Sequence, residues 1–147
     1  MIRKITNKDE NIFMELTSEF YASEAVLHNI PRDYHEKAFK ELMTSDNYLS
    51  AYIFESDNKV AGYALLTKQY SHEAGGIVLW IDEVYIREEF RSKGLGRELF
   101  KYLEENKGEE ITRFRLEVEE DNERAIKLYE KLGFEKLDYL QYIKDFL

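Results

Sequence analysis

The feature that most constrains this chain is a glycine-containing turn, Arg91-Ser92-Lys93-Gly94-Leu95-Gly96-Arg97, set between two strongly patterned segments. Upstream, Ile77 to Ile86 is a β-branched and aromatic run that reads as a long strand. Downstream, Leu95, Leu99, Phe100 and Leu103 recur at the spacing of an amphipathic helix beginning near Gly94. Glycine allows the tight turn and lets backbone N–H groups approach a ligand closely. The helix N-terminus adds unpaired donors and the positive end of the dipole, which together favour a phosphate. Arg87, Arg91, Lys93 and Arg97 invert the charge locally in a chain whose 30 acids outnumber its 21 bases. A plain glycine turn before a helix with solvated bases would use the same residues, so the turn alone leaves both possibilities open. Two common phosphate motifs are excluded. The dinucleotide fingerprint needs a third glycine where Leu99 stands, and nothing supplies the Gly-Lys-Ser/Thr of a P-loop.

Length and composition bound the rest. At 147 residues the chain is expected to be a single domain over 1–147, and no repeat or linker divides it. A hydrophobic fraction of 44% can fill a core, which argues against disorder although 35% of residues are charged. The net charge of −9 disfavours nucleic acid as a partner and would draw cationic substrates. With no cysteine, disulfides, thiol catalysis and Cys-ligated zinc are all excluded. His28, His35 and His72 lack ligand-like spacing, so no metal site is expected. Met1-Ile2-Arg3-Lys4-Ile5 lacks the apolar run of a signal peptide, and no stretch approaches ~18 apolar residues. A cytoplasmic protein with no membrane partner is expected.

Along the chain, Ile2 to Ile5 reads as a short strand, and Ile12, Phe13, Leu16 and Phe20 as a helix face behind capping candidates Thr6 and Asp9. Pro31 suits the first turn of a second helix lined by Tyr34, Ala38 and Leu42. Tyr48 to Glu55 and Val60 to Lys68 flank Ser56-Asp57-Asn58-Lys59, a hairpin by its turn chemistry. Within it, Gly62 reads as a bulge rather than a contact. Phe114, Leu116 and Val118 alternate with charges as a strand does; Ala125, Leu128, Tyr129 and Leu132 mark a last helix stopped by Gly133. Phe134 onward reads as extended. The order is β-α-α-β-β-β-α-β-α-β, an α/β (α+β) fold around one mixed sheet.

Arg91-x-x-Gly94-x-Gly96, preceded by Asp82-Glu83-Val84-Tyr85-Ile86, resembles the acyl-CoA pyrophosphate loop of the GNAT superfamily of N-acetyltransferases. A second block agrees: Leu116-Glu117-Val118, then Asn122-x-x-Ala125-x-x-x-Tyr129-x-x-x-Gly133-Phe134. The resemblance implies a mostly antiparallel central sheet with helices on both faces, and acetyl-CoA as cofactor. It also implies roles. Val84, Tyr85 and Ile86 would offer main-chain groups to the pantetheine arm. Arg91, Ser92, Lys93, Gly94, Leu95, Gly96 and Arg97 would wrap the pyrophosphate. Asn122 would bond to the pantetheine, Ala125 would allow close approach, and Tyr129 would lie beside the thioester sulfur to protonate the leaving thiolate.

An ammonium must lose a proton before it can attack, and Asp82 and Glu83 are the adjacent carboxylates. In a regular strand neighbours point to opposite faces, so only one reaches the site unless a bulge intervenes. Glu83, Asp82 and a water remain alternative bases. Tyr21, Tyr34 and Trp80 could wall an acceptor pocket or pack in the core. The acceptor implied is a small cationic amine, polyamine- or aminoglycoside-like. A protein N-terminus or lysine, or a non-catalytic acyl-CoA-binding regulatory module, are the alternatives. A homodimer is compatible with the resemblance.

Overall fold

The computed structural model describes residues 1–146. Residues 1–116 form one compact unit and a second begins at Glu117. In the first unit, β1 (Ile2–Lys4), β2 (Leu49–Ser56), β3 (Lys59–Ser71), β4 (Gly76–Ile86) and β5 (Ile111–Leu116) form one sheet in sequence order. The first three pairings are antiparallel, and β4–β5 is parallel. The helices of this unit are α1 (Glu10–Tyr21), α2 (Arg32–Thr44) and α3 (Leu95–Asn106). The β2–β3 hairpin closes through Asp57 and Asn58 at φ 53° and 61°. Two left-handed residues give the turn a twist that matches its strands, and Asp and Asn tolerate that conformation.

Strand alternation divides the core into two layers. Ala51, Ile53, Tyr63 and Leu65 face Phe13, Leu16 and Phe20 of α1 and Phe39 and Leu42 of α2. On the other face Tyr52 meets Tyr102 of α3 edge-on at 5.4 Å. Leu95, Leu99, Phe100 and Leu103, expected to be the inner face of α3, are all buried. Helices therefore cover both faces of the sheet.

Three expectations are corrected. The buried stripe of α2 is His35, Phe39 and Leu42, while Tyr34 is exposed and stacked under Lys37. The stripe rotates by one position because Phe39 buries far more apolar surface than Ala38. Gly62 is a contact: a Cβ there would overlap the Tyr85 carbonyl oxygen of β4. The bulge falls beside it at Ala61, since Phe54 opposes Gly62 and Glu55 opposes Val60. The third correction is the expected final strand, considered with the second unit.

The second unit contains α4 (Glu123–Lys131), capped by the Asn122 side-chain oxygen, which accepts the Ala125 N–H at 3.2 Å. Gly133 ends α4 at φ 91°, with its own N–H on the Glu130 carbonyl and that of Phe134 on the Tyr129 carbonyl. Residues 134–146 form no strand. Their large apolar side chains do not alternate: Tyr139 and Leu140, then Tyr142 and Ile143, come as adjacent pairs. A strand here would need cover on both faces, and these four are exposed.

An ion cluster ties the start of the chain together. Arg3 of β1 makes two 2.9 Å bonds to Asp9, which also accepts the Thr6 N–H at 2.7 Å, and Arg3 bonds to Glu55 as well. The Arg3 bonds hold the buried Asp9 carboxyl below its ordinary pKa. Asp9→Asn should therefore cost about 1.5–3 kcal/mol at neutral pH, read from denaturant midpoints. The folded pKa is depressed, so the Asp9 contribution is complete above 3.8 and is lost as pH falls through the folded value. A deficit that persists unchanged through the acid range would remove the ion pair as its cause.

Candidate active site

The site begins with an irregularity in β4. Leu65 of β3 opposes Glu83 and Leu66 opposes Ile81, which leaves Asp82 as the extra residue of a bulge. Leu65 and Leu66 point to opposite faces, so Glu83 and Ile81 do too. Regular alternation would have set Glu83 beside Ile81, on the α3 side. The bulge instead turns it toward Tyr63, Leu65 and α1. Asp82 is exposed, and Glu83 is 8% exposed.

Two phenols hold the buried carboxylate. Tyr63 on β3 donates to Glu83 Oε1 at 2.6 Å, and Tyr21, the last residue of α1, donates to Oε2 at 2.7 Å. Phe13 and Phe20 meet the wholly buried Tyr63 ring edge-on at 6.1 and 6.2 Å. The Tyr21 ring makes similar contacts with Phe20 at 5.2 Å and with His35 of α2 at 5.5 Å. Desolvation raises the Glu83 pKa; the two phenol bonds oppose that, and the Asp82 charge adds to it. Burial first, then Glu83, pushes both phenols well above their ordinary range, so they stay protonated. Burial and Arg32 lower the His35 pKa, which favours the neutral imidazole. A carboxylate in this setting is a proton acceptor, and each of its oxygens already takes one phenol O–H.

Beyond the bulge, β4 loses one neighbour. Its pairing with β5 ends at Ile81 and Leu116, so among the described residues Val84, Tyr85 and Ile86 have a strand partner only in β3. Arg91 Nε donates to the Ile86 carbonyl at 2.8 Å and fixes the start of the turn. Ser92 and Gly94 adopt left-handed φ of 62° and 81°. Gly94 is the N-cap of α3, and it offers no side chain to the first-turn N–H groups. Arg91, Ser92, Lys93, Gly94 and Arg97 are exposed, Gly96 is half-buried, and Leu95 is buried as the anchor. Arg87 does not belong to this basic cluster. It turns back to α1, donating to Glu15 and making two bonds to Glu19, at 3.0 and 3.1 Å. Arg91, Lys93 and Arg97 remain for an anion, with Lys93 Nζ over the Phe90 ring at 5.4 Å. An uncapped helix start in a basic turn fits a pyrophosphate.

The other sequence-selected residues lie in the second unit. Asn122 spends its side-chain oxygen on the α4 cap, and Ala125 supplies the donor. Tyr129 is half-buried, its ring edge-on to Phe134 at 5.8 Å, and burial raises its phenol pKa. His28 and His72 are exposed, and no group among the described residues could hold a metal. No described helix is long and apolar enough to cross a membrane. Sequence reasoning missed Tyr63 altogether and read Tyr21 only as a pocket wall or a core aromatic. The available signal was a tyrosine within the apolar run of β3, since a buried phenol needs an acceptor.

Comparison with known proteins places this geometry. The profile described as "Acetyltransferase (GNAT) family" matches residues 11–134. A Lactobacillus delbrueckii subsp. lactis protein, described as an uncharacterized N-acetyltransferase in the pepI 3′ region, is 30% identical over 90% of this chain and 82% of its own. The spermine/spermidine N(1)-acetyltransferase of Bacillus subtilis (strain 168) is 31% identical over 56% of this chain, which spans only 55% of that enzyme. Among solved structures, a possible acetyltransferase from Clostridium difficile 630 superposes with a TM-score of 0.82 at 27% identity, covering 100% of this chain and 97% of that one.

Ionised Glu83 should be a burden on stability. Its folded pKa lies above the 4.5 of the free side chain, so its contribution falls as pH rises from 4.5 through the folded value. Glu83→Gln should raise stability at neutral pH by about 1 kcal/mol. The gain should vanish below pH 4.5, where the native carboxyl is protonated. Chemical denaturation at both pH values reads this. A variant no more stable at neutral pH would mean that the two phenols fully offset desolvation.

Proposed function

We propose, because the chain belongs to the acetyltransferase (GNAT) family, that it transfers the acetyl group of acetyl-CoA to the nitrogen of a small cationic amine. The chain is an acyltransferase whose acetyl donor is acetyl-CoA. The observation that carries the acceptor assignment is the pair of carboxylates at the β4 bulge, one exposed and one buried between phenols. A cationic amine arrives as an ammonium, so it needs attraction first and deprotonation second. Asp82 and the net charge of −9 serve the first need. Glu83, with its raised pKa, serves the second. The Bacillus relative is named for spermine and spermidine, which are amines of this class.

Bound acetyl-CoA supplies a thioester carbonyl open to direct attack by a neutral amine. The chain's own residues bind and orient it. Val84, Tyr85 and Ile86 offer main-chain groups on the side where β5 has ended. The first-turn N–H groups of α3 and the bases Arg91, Lys93 and Arg97 take the pyrophosphate. By the family resemblance, Asn122 and Ala125 would border the pantetheine arm. Tyr129, by the family resemblance, would hold a proton at Oη for the leaving thiolate, and its raised pKa favours the protonated phenol.

Thiol release is the test, measured over a panel of polyamines, aminoglycosides, lysine analogues and a peptide with a free N-terminus. Turnover should be fastest with small polycationic amines. Turnover of the peptide alone would overturn the acceptor assignment, and acetyl-CoA binding with no turnover of any amine would overturn catalysis. Glu83→Gln should lower kcat about tenfold or more with little change in KM, the pattern of a base rather than a substrate anchor.

Tyr129→Phe should lower kcat about ten- to a hundredfold while acetyl-CoA affinity, read by calorimetry, stays near the wild-type value. An unchanged kcat with chemistry rate-limiting would make Tyr129 a packing residue.

A further inference from the structure

We propose that the acceptor amine is deprotonated at the Tyr21 hydroxyl, which relays the proton to Glu83 instead of leaving the carboxylate to meet the amine itself. This rests on the assignment of Glu83 as the terminal proton acceptor. The geometry points to it because both carboxylate oxygens are engaged. Oε1 is held at 2.6 Å by Tyr63, which is 0% exposed and cannot meet a substrate. Oε2 is held at 2.7 Å by Tyr21, and Glu83 as a whole is 8% exposed. Of these three residues only Tyr21 is more than marginally exposed. Its ring is fixed between Phe20 and His35, so the hydroxyl has a defined place.

The transfer balances. One N–H bond of the ammonium breaks and its proton bonds to Tyr21 Oη. The original Tyr21 O–H bond breaks in the same step, and that proton bonds to Glu83 Oε2. The amine ends neutral with its lone pair free, Tyr21 ends as a phenol, and Glu83 ends as a carboxylic acid. A relay must begin and end as a neutral phenol, and the raised Tyr21 pKa favours that form. Tyr63 is the positioning residue, because its bond to Oε1 leaves Oε2 aimed at Tyr21.

The titratable groups facing this path are Tyr63 from β3, Tyr21 from α1, Asp82 from β4 itself, and His35 from α2 against the Tyr21 ring. Among them, Glu83 sets the acidic limb of the kcat profile.

The test compares kcat against pH for wild type, Tyr21→Phe and Glu83→Gln, using the best amine of the panel. Phenylalanine keeps the ring contacts, and acetyl-CoA affinity reports that the variant is folded. A relay predicts that Tyr21→Phe lowers the alkaline plateau of kcat about tenfold or more. It also predicts an acidic limb at higher pH, since Glu83 has lost a bond that favours its ionised form. A hydroxyl that only positions Glu83 would move the limb and leave the plateau, and that result overturns the relay. An impaired Glu83→Gln beside an intact Tyr21→Phe plateau removes the relay alone, whereas wild-type kcat in Glu83→Gln removes the base and the relay together. Should Tyr21→Phe fail to bind acetyl-CoA, the proton inventory of the wild-type enzyme decides. Two protons moving in one step give a curved dependence of kcat on deuterium fraction, and a linear dependence overturns the proposal.

Discussion

A carboxylate taken out of water must be met by donors, and around Glu83 they come from two different elements. Tyr63 reaches it along the sheet and Tyr21 reaches it from the last residue of α1. The depth of the site therefore depends on where α1 ends and on how that helix packs over β3. Phe13 and Phe20 do that packing, and the same two rings hold Tyr63 in place. Core and site are one assembly here. Core apolar contacts supply the stability that a buried acid takes away, which is the usual relation between a working group and its scaffold.

The bulge at Asp82 gives this assembly its direction. One extra residue in β4 changes which face Glu83 occupies and leaves Asp82 in water. Two adjacent acids thereby acquire different environments, and environment is what separates a charge attractor from a proton acceptor. Immediately beyond the bulge β5 stops pairing, so the main chain of Val84 to Ile86 lies next to the acids and next to the α3 turn. Arg91 belongs to the turn through the Ile86 carbonyl, and Arg87 belongs to α1 through its two glutamates. Two arginines four positions apart in sequence are thus tied to different elements.

Much of the fold was legible in the chain. The Asp57-Asn58 hairpin, the inner face of α3, the start of α3 at Gly94 and the stop at Gly133 all follow from local chemistry: left-handed turns, helical spacing, and glycine where φ is positive. Misreadings came where a pattern had two near-equal phases or two uses. In α2 the stripes through Ala38 and Phe39 differ by one position, and only the volume beneath the helix chooses between them. At Gly62 a missing side chain could signal a bulge or a close approach, and the partner strand decided for contact. After Phe134 the apolar residues come in pairs, which no single sheet face can absorb.

By itself the sequence determined the order of elements as far as α4, the glycine turn at a helix start, and the candidate acids Asp82 and Glu83, because each depends on residues within a few positions of one another. Only the tertiary structure decided which acid is buried, which tyrosines hold it, and which arginine leaves the basic cluster. Those outcomes turn on contacts between residues far apart in the chain: Tyr21 with Glu83, Tyr63 with Glu83, and Arg87 with Glu15 and Glu19. Period-two alternation predicts the face of every residue in a strand until an extra residue intervenes. In β4 that residue is Asp82, and the register against β3 that makes it the extra one exists only once the two strands have paired.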